Sequence, residues 1–135
     1  MKTRKVAAVI LVNSENKILI MKRSAGKKSH PNLWGLPAGG VKKNESLELA
    51  ASREVLEETG LTVTDLKKGP TLPVQVEDTI HEVNYFIGKS VSNEVLLNSE
   101  HTMYKWVDTQ ESLKYEFGIP TSHVKKILQE FSLLP

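Results

Sequence analysis

Glu54, Glu57 and Glu58 stand at i, i+3 and i+4 within Arg53-Glu54-Val55-Leu56-Glu57-Glu58-Thr59-Gly60-Leu61. On a helix that spacing gathers the three carboxylates on one side. Like charges three and four residues apart repel by roughly 0.2–0.5 kcal/mol per pair. Glu57 and Glu58 also crowd the negative end of the helix dipole, where cations are preferred. A chain that keeps both penalties has a cation to place there. The donors are all hard oxygens, so the expected ion is a divalent metal, Mg²⁺ first, with Mn²⁺ as the alternative.

The element that must carry these acids is a helix, for which Asn44 is the expected N-cap and Gly60 the expected C′ residue, giving a span of Glu45 to Thr59. Leu47, Ala50, Ala51 and Val55 fall on one arc of it. The three glutamates fall on the same side, so they are expected to face the protein body, whereas a solvated Glu-rich helix would point them away. Leu49 and Leu56 lie on the other side, which predicts a helix covered on two faces. Around it, Val6–Val12 and Lys17–Arg23 read as strands joined by a turn at Asn13-Ser14-Glu15-Asn16. Ser24–Leu33 reads as a polar loop and Trp34–Val41 as a glycine-rich approach to the helix. Further strands are expected at Leu61–Thr64, Val74–Glu77, His81–Gly88 and Thr102–Val107, the last alternating Met103, Lys105 and Val107 against Tyr104 and Trp106. A helical turn at Asp108–Glu111 and a closing amphipathic helix at Ser122–Leu133, carrying Val124, Ile127, Leu128 and Phe131, complete an α/β chain.

Composition narrows the class of protein. The 135 residues suffice for one buried core and are too few for two ordinary domains. A net charge of +2 is too small to argue for duplex nucleic acid as partner. With no cysteine there is neither a disulfide framework nor a thiolate metal site. The basic start and short apolar run lack a small-residue cleavage site, and no stretch approaches a membrane span, so a cytoplasmic protein without membrane contact is expected.

From Gly39, through five residues to Glu45, then seven to Arg53-Glu54-Val55-x-Glu57-Glu58-x-Gly60-Leu61, the chain resembles the complete Nudix box, every specified position being filled across 23 residues. The resemblance implies a MutT-like member, with residues 1–135 forming one Nudix hydrolase domain, and an α/β fold: a Nudix-type α/β/α sandwich with a mixed β-sheet. It implies metal-dependent cleavage of the pyrophosphate bond in a nucleoside diphosphate linked to another group. A compact nucleoside triphosphate pyrophosphohydrolase is favoured by size, with ADP-ribose, nucleotide sugars, dinucleoside polyphosphates and capped RNA ends as alternatives. A non-catalytic Nudix ligand-binding module is disfavoured because no box glutamate is missing. An isomerase of a small diphosphate is disfavoured because its proton-donor pair often includes cysteine. Many relatives dimerise, which leaves a homodimer open.

Roles carry over residue by residue. Glu57 and Glu58 match the paired glutamates of the metal site, and Glu54 matches a glutamate that is a ligand in some members and a water-activating base in others. Arg53 is expected to orient Glu54 through its fork of donors, and Glu45 to organise the preceding loop. Ala38 offers a carbonyl to the metal at a position where many members have glycine. Gly39 and Gly40 let the backbone approach metal or phosphate closely. Glu100 resembles a fourth carboxylate that binds metal or acts as base, with His101 as an alternative base. Arg23 is the expected phosphate contact. Lys22, Lys27 and Lys28 read as a solvated basic loop, whereas Lys42 and Lys43 sit near the mouth of the metal site and equally serve to keep the loop soluble. Trp34 and Leu36 are expected to pack beneath the glycine loop. One of Tyr85 and Phe86 is expected in the core, leaving the other free to stack on a base. His30, His81 and His123 are read as surface or turn residues.

Overall fold

A computed structural model of the chain describes residues 2–27 and 31–135. Lys28 and His30 lie outside them. The elements are β1 (Lys2–Val12), β2 (Ile18–Arg23), β3 (Trp34–Gly35), β4 (Ala38–Gly40), α1 (Leu47–Thr59), β5 (Thr64–Val76), β6 (Thr79–Lys89), β7 (His101–Val107), α2 (Thr109–Ser112) and α3 (Thr121–Glu130).

The apolar run Val6–Leu11 has no polar break because β1 is covered on both faces. Ala7, Val9 and Leu11 pack with Ala50, Ala51 and Val55 of α1 and with Phe86. Val6, Ala8 and Ile10 pack with Val124, Ile127 and Leu128 of α3 and with Tyr85. One helix therefore lies on each side of the sheet. The sheet itself is mixed: β1 runs parallel to β6 from Lys2↔Thr79 to Val12↔Lys89, and its other pairings are antiparallel. Strand order is β3-β2-β1-β6-β5, with β4 on β1 and β7 on β2. β2 meets β1 only at Val12↔Ile18. That leaves the other end of β1 free to pair with β4, from Val6↔Gly40 to Ala8↔Ala38, and so fixes the glycine segment beside α1.

Several expected boundaries move. α1 begins at Leu47, capped by Ser46, whose side chain accepts from the Leu49 N–H at 3.1 Å. Asn44 instead takes a left-handed turn at φ 63°, which frees Glu45 for other partners. Gly60 ends the helix as expected, at φ 73°. The expected cover on two faces is absent: Leu49 and Leu56 are 64% and 56% exposed. Leu61–Thr64 is not a strand; β5 starts at Thr64 and runs through Gly69, Pro70 and Pro73. It tolerates those prolines because it is the edge strand, with one side free of ladder bonds. β7 alternates in sequence but not in burial, since Thr102 to Lys105 are all exposed. α3 stops at Glu130, and Leu133 and Leu134 pack onto the core from the tail beyond it.

Candidate active site

The last two turns of α1 carry the acids toward β4. Glu54 and Glu58 are 8% and 4% exposed, whereas the Glu57 side chain is half exposed at the rim. Two of the three carboxylates thus face the body as expected. Glu58 Oε1 accepts the Ala38 N–H at 3.0 Å, so β4 holds one glutamate directly. Burial, followed by the neighbouring Glu54 and Glu100 charges, pushes the Glu58 carboxyl up to about 8. Burial also raises Glu54, against the lowering effect of Arg53.

Arg53 ties the cluster to the loop before the helix. Its Nε and Nη2 bind the two Glu45 oxygens at 2.7 and 2.9 Å. Nη2 also donates to the Gly40 carbonyl at 2.9 Å, and Nη1 to Glu54 at 2.7 Å. Glu57 lies 3.3 Å from Nη1. Glu45 additionally accepts the Lys42 N–H at 2.9 Å. These bonds, Arg53 first, hold the Glu45 carboxyl down at about 2. The expected loop-organising part of Glu45 and the orienting contact of Arg53 with Glu54 both have these bonds as their geometry.

Glu100 arrives from far along the chain. The segment before β7 runs past the end of α1, with the Leu96 N–H on Thr59 O at 2.9 Å and Asn98 Nδ2 on Glu57 O at 3.3 Å. Glu100 then accepts from Lys27 Nζ at 2.7 Å, and that bond foremost lowers its carboxyl. Ala38, Gly39, Gly40, Arg53, Glu54, Glu57, Glu58 and Glu100 line one cleft of about 480 Å³ with Arg4, Val41 and Lys42. Eight of the nine residues named as site residues from the sequence meet there. Arg23, the ninth, is not in that lining, although its charge reaches Glu58 and acts to lower that carboxyl. Arg4 is a residue that sequence reasoning missed: it is 35 positions before the box and belongs to no motif, and only the β1–β4 pairing brings it against Gly40.

Among the described residues no three carboxylate or imidazole side chains are already gathered in a metal-holding geometry. Arg53 and Lys27 occupy Glu54 and Glu100, and Glu57 turns outward. The donor set still fits a hard divalent cation. Two buried carboxylates repelling each other are a costly arrangement that a cation relieves. Gly39 leaves the approach open, because a Cβ there would coincide with the Glu54 carboxyl group.

Arg23 lines a second hollow, of about 170 Å³, on the α3 face of the sheet. A register slip in the β2–β7 pairing after Lys22 re-aims it. Trp34 and Leu36, expected to pack beneath the glycine loop, pack against the core cluster on the α3 face together with Ala38 and also line the hollow. His81, expected at the surface, is half buried and lines it too. His101 is 6% exposed and lines neither cavity; burial pulls its imidazole down to about 4, so it is neutral at pH 7. Ala38 borders both cavities, so the two meet at β4.

The site thus rests on a mixed sheet between helices, with a glutamate helix ending against a glycine strand. The family model described as NUDIX domain matches residues 1–126, and the chain belongs to that family; it is a Nudix hydrolase. The nucleoside triphosphatase NudI of Klebsiella pneumoniae (strain 342) is 31% identical over 123 residues, covering 82% of this chain and 86% of that protein. The crystal structure of a MutT protein from Methanosarcina mazei Go1 superposes with a TM-score of 0.81 at 25% identity, over 96% of each chain. That of a C. elegans Ap4A hydrolase binary complex gives 0.79 at 25%, over 96% of this chain and 95% of that one. Among the described residues no helix is long and apolar enough to cross a membrane.

Proposed function

We propose that this chain is one hydrolase domain that splits a nucleoside triphosphate into the monophosphate and pyrophosphate with Mg²⁺. The observation that carries the reading is Ala38, whose short backbone stretch divides an apolar hollow from a carboxylate cleft. A nucleoside triphosphate has the same division, an aromatic base at one end and a polyanion at the other. Arg23 lies in the lining on the base side and contacts the phosphate nearest the sugar. Glu57 and Glu58 are the principal metal ligands, joined by Glu54, Glu100 and the Ala38 carbonyl. When bound, the ion neutralises phosphate oxygens and polarises the phosphorus under attack. Arg53 keeps Glu54 aimed at the cleft. Glu54, partly held by Arg53, and Glu100, partly held by Lys27, are the two candidates to take the proton of the attacking water. Gly39 and Gly40 let the phosphates lie close to the backbone.

The relatives support this direction, since one is called a nucleoside triphosphatase. The testing experiment is product analysis over nucleoside triphosphates, oxidised triphosphates, ADP-ribose, nucleotide sugars, dinucleoside polyphosphates and triphosphate-ended RNA. Monophosphate and pyrophosphate from triphosphates, with Mg²⁺ and not with EDTA, is the expected result. Faster turnover of any other class moves the substrate assignment to that class. Loss of no activity in EDTA removes the metal from the mechanism.

Gly39→Ala isolates the geometry of the cleft. The added methyl displaces the Glu54 carboxyl group, and misplacing one reacting group by about 1 Å costs on the order of 100-fold in rate. The expected outcome is a fall of that size in kcat with an unchanged far-UV circular dichroism spectrum. Full activity in the alanine variant would mean that Glu54 has no part in turnover.

A further inference from the structure

Tyr85 is 2% exposed, yet its hydroxyl bonds to none of the described residues, and burial is the sole influence on it, pushing the phenol up to about 12. Among the described residues the fully buried side-chain atoms left without a partner are His101 Nδ1 and His123 Nδ1, so the Tyr85 oxygen keeps some accessible surface and stays open to a ligand.

The sheet register shows where the side chain points. Ala38 of β4, Ala8 of β1 and Tyr85 of β6 are registered side by side in one row across the sheet. All three line the hollow on the α3 face. The two alanines contribute only methyl groups, so the row drops away beside the tyrosine. On its other side the β5 register slips between Lys68 and Thr71, and no β5 residue is registered opposite Tyr85. The hollow holds about 170 Å³, and a dry cavity of about 150 Å³ accepts a benzene ring. It thus offers room for one planar heterocycle, apolar walls, and an unused O–H. Arg23 and His81, also in the lining, each have an interaction partner.

We propose that Tyr85 is a specificity-determining residue of this pocket, its hydroxyl donating a hydrogen bond to a ring nitrogen or carbonyl oxygen on the edge of a nucleobase seated over Ala8. The proposal rests on the nucleotide reading above and deepens it. Phe86, the next residue, faces α1 instead, so of the adjacent aromatics only Tyr85 can meet the base.

Tyr85→Phe removes one oxygen and leaves the ring, so folding is preserved. The test compares it with wild type in two measurements. One is kcat and KM for triphosphates of all four bases with Mg²⁺. The other is calorimetric binding of the four nucleoside monophosphates in EDTA. A single hydrogen bond to a group that is otherwise left unmet is worth about tenfold in affinity. The expected result is therefore a KM about tenfold higher for the preferred base, kcat within about twofold, and a narrowed spread of kcat/KM among bases. Monophosphate affinity should fall by the same factor. Metal-dependent turnover with identical KM values and base preference in both proteins overturns the role of Tyr85 and leaves the hydrolase reading standing. Weakened monophosphate binding in the variant without turnover of any triphosphate by wild type does the reverse. A wild type that neither turns over triphosphates nor binds monophosphates removes both.

Discussion

Glu58→Gln is expected to lower kcat by about 1,000-fold, the upper range for deleting one preorganised electrostatic group, while raising the melting temperature of the metal-free protein. Glu58 is buried against β4 and is held up at about 8 in the folded chain, against 4.5 for an ordinary glutamate. A raised carboxyl stabilises the fold only while it is protonated. Its contribution is fully present below pH 4.5 and lost as pH rises through about 8. Glutamine carries no charge and its carbonyl can still accept the Ala38 N–H. In EDTA the variant should therefore melt a few degrees above wild type at pH 8.5, with the gap closing toward pH 4.5. Mg²⁺ should stabilise wild type and leave the variant nearly unmoved. Thermal melts in the four combinations check this. A variant that melts lower in EDTA at pH 8.5 would mean that the Glu58 charge is already compensated by the fold.

Arg53→Ala should have the second largest effect, on both rate and stability. Its guanidinium bonds Glu45, Glu54 and the Gly40 carbonyl together, and alanine leaves Glu54 buried without its counter-charge. The expected outcome is a fall in melting temperature of about 5 °C at pH 7 and about 100-fold in kcat from the lost aim of Glu54. Arg53→Lys restores charge without the planar fork and should recover stability better than rate. The pH dependence has a definite sign. Glu45 is held at about 2, so the stability it gains from Arg53 is present above pH 4.5 and disappears as pH falls toward 2. Wild type should lose stability across that window and Arg53→Ala should lose less. Parallel curves for the two proteins would show that the Glu45 pair contributes nothing to the fold.

The parts legible in sequence share a local origin. Glu54 and Glu58 are on one side of a helix because the backbone period puts them there, and Gly60 ends that helix because few other residues accept φ 73°. The two-faced burial of β1 follows from its unbroken apolar run. The misread positions have equally specific causes. Asn44 and Ser46 are both good capping residues, and the choice fell to Ser46 because the loop turns through Asn44 to deliver Glu45 to Arg53. β5 contains Gly69, Pro70 and Pro73, all turn signals, and became a strand because it borders the sheet and pairs on one side only. Leu49 and Leu56 stand exposed although their spacing predicts cover, because periodicity reports which residues share a face, not whether another element packs on it.

The spacing of the glutamates and the arginine was set by the sequence itself, since a helix converts spacing in the chain into direction without help from elsewhere. Tertiary structure decided everything that depends on distant segments. The β1–β4 pairing brought Arg4 to the cleft, the segment before β7 delivered Glu100 beside Lys27, and the row Ala38, Ala8, Tyr85 opened a hollow on the far face. The partners in these contacts stand 30 to 77 positions apart in the chain. No local periodicity relates them, because strand register is chosen by the burial of whole faces.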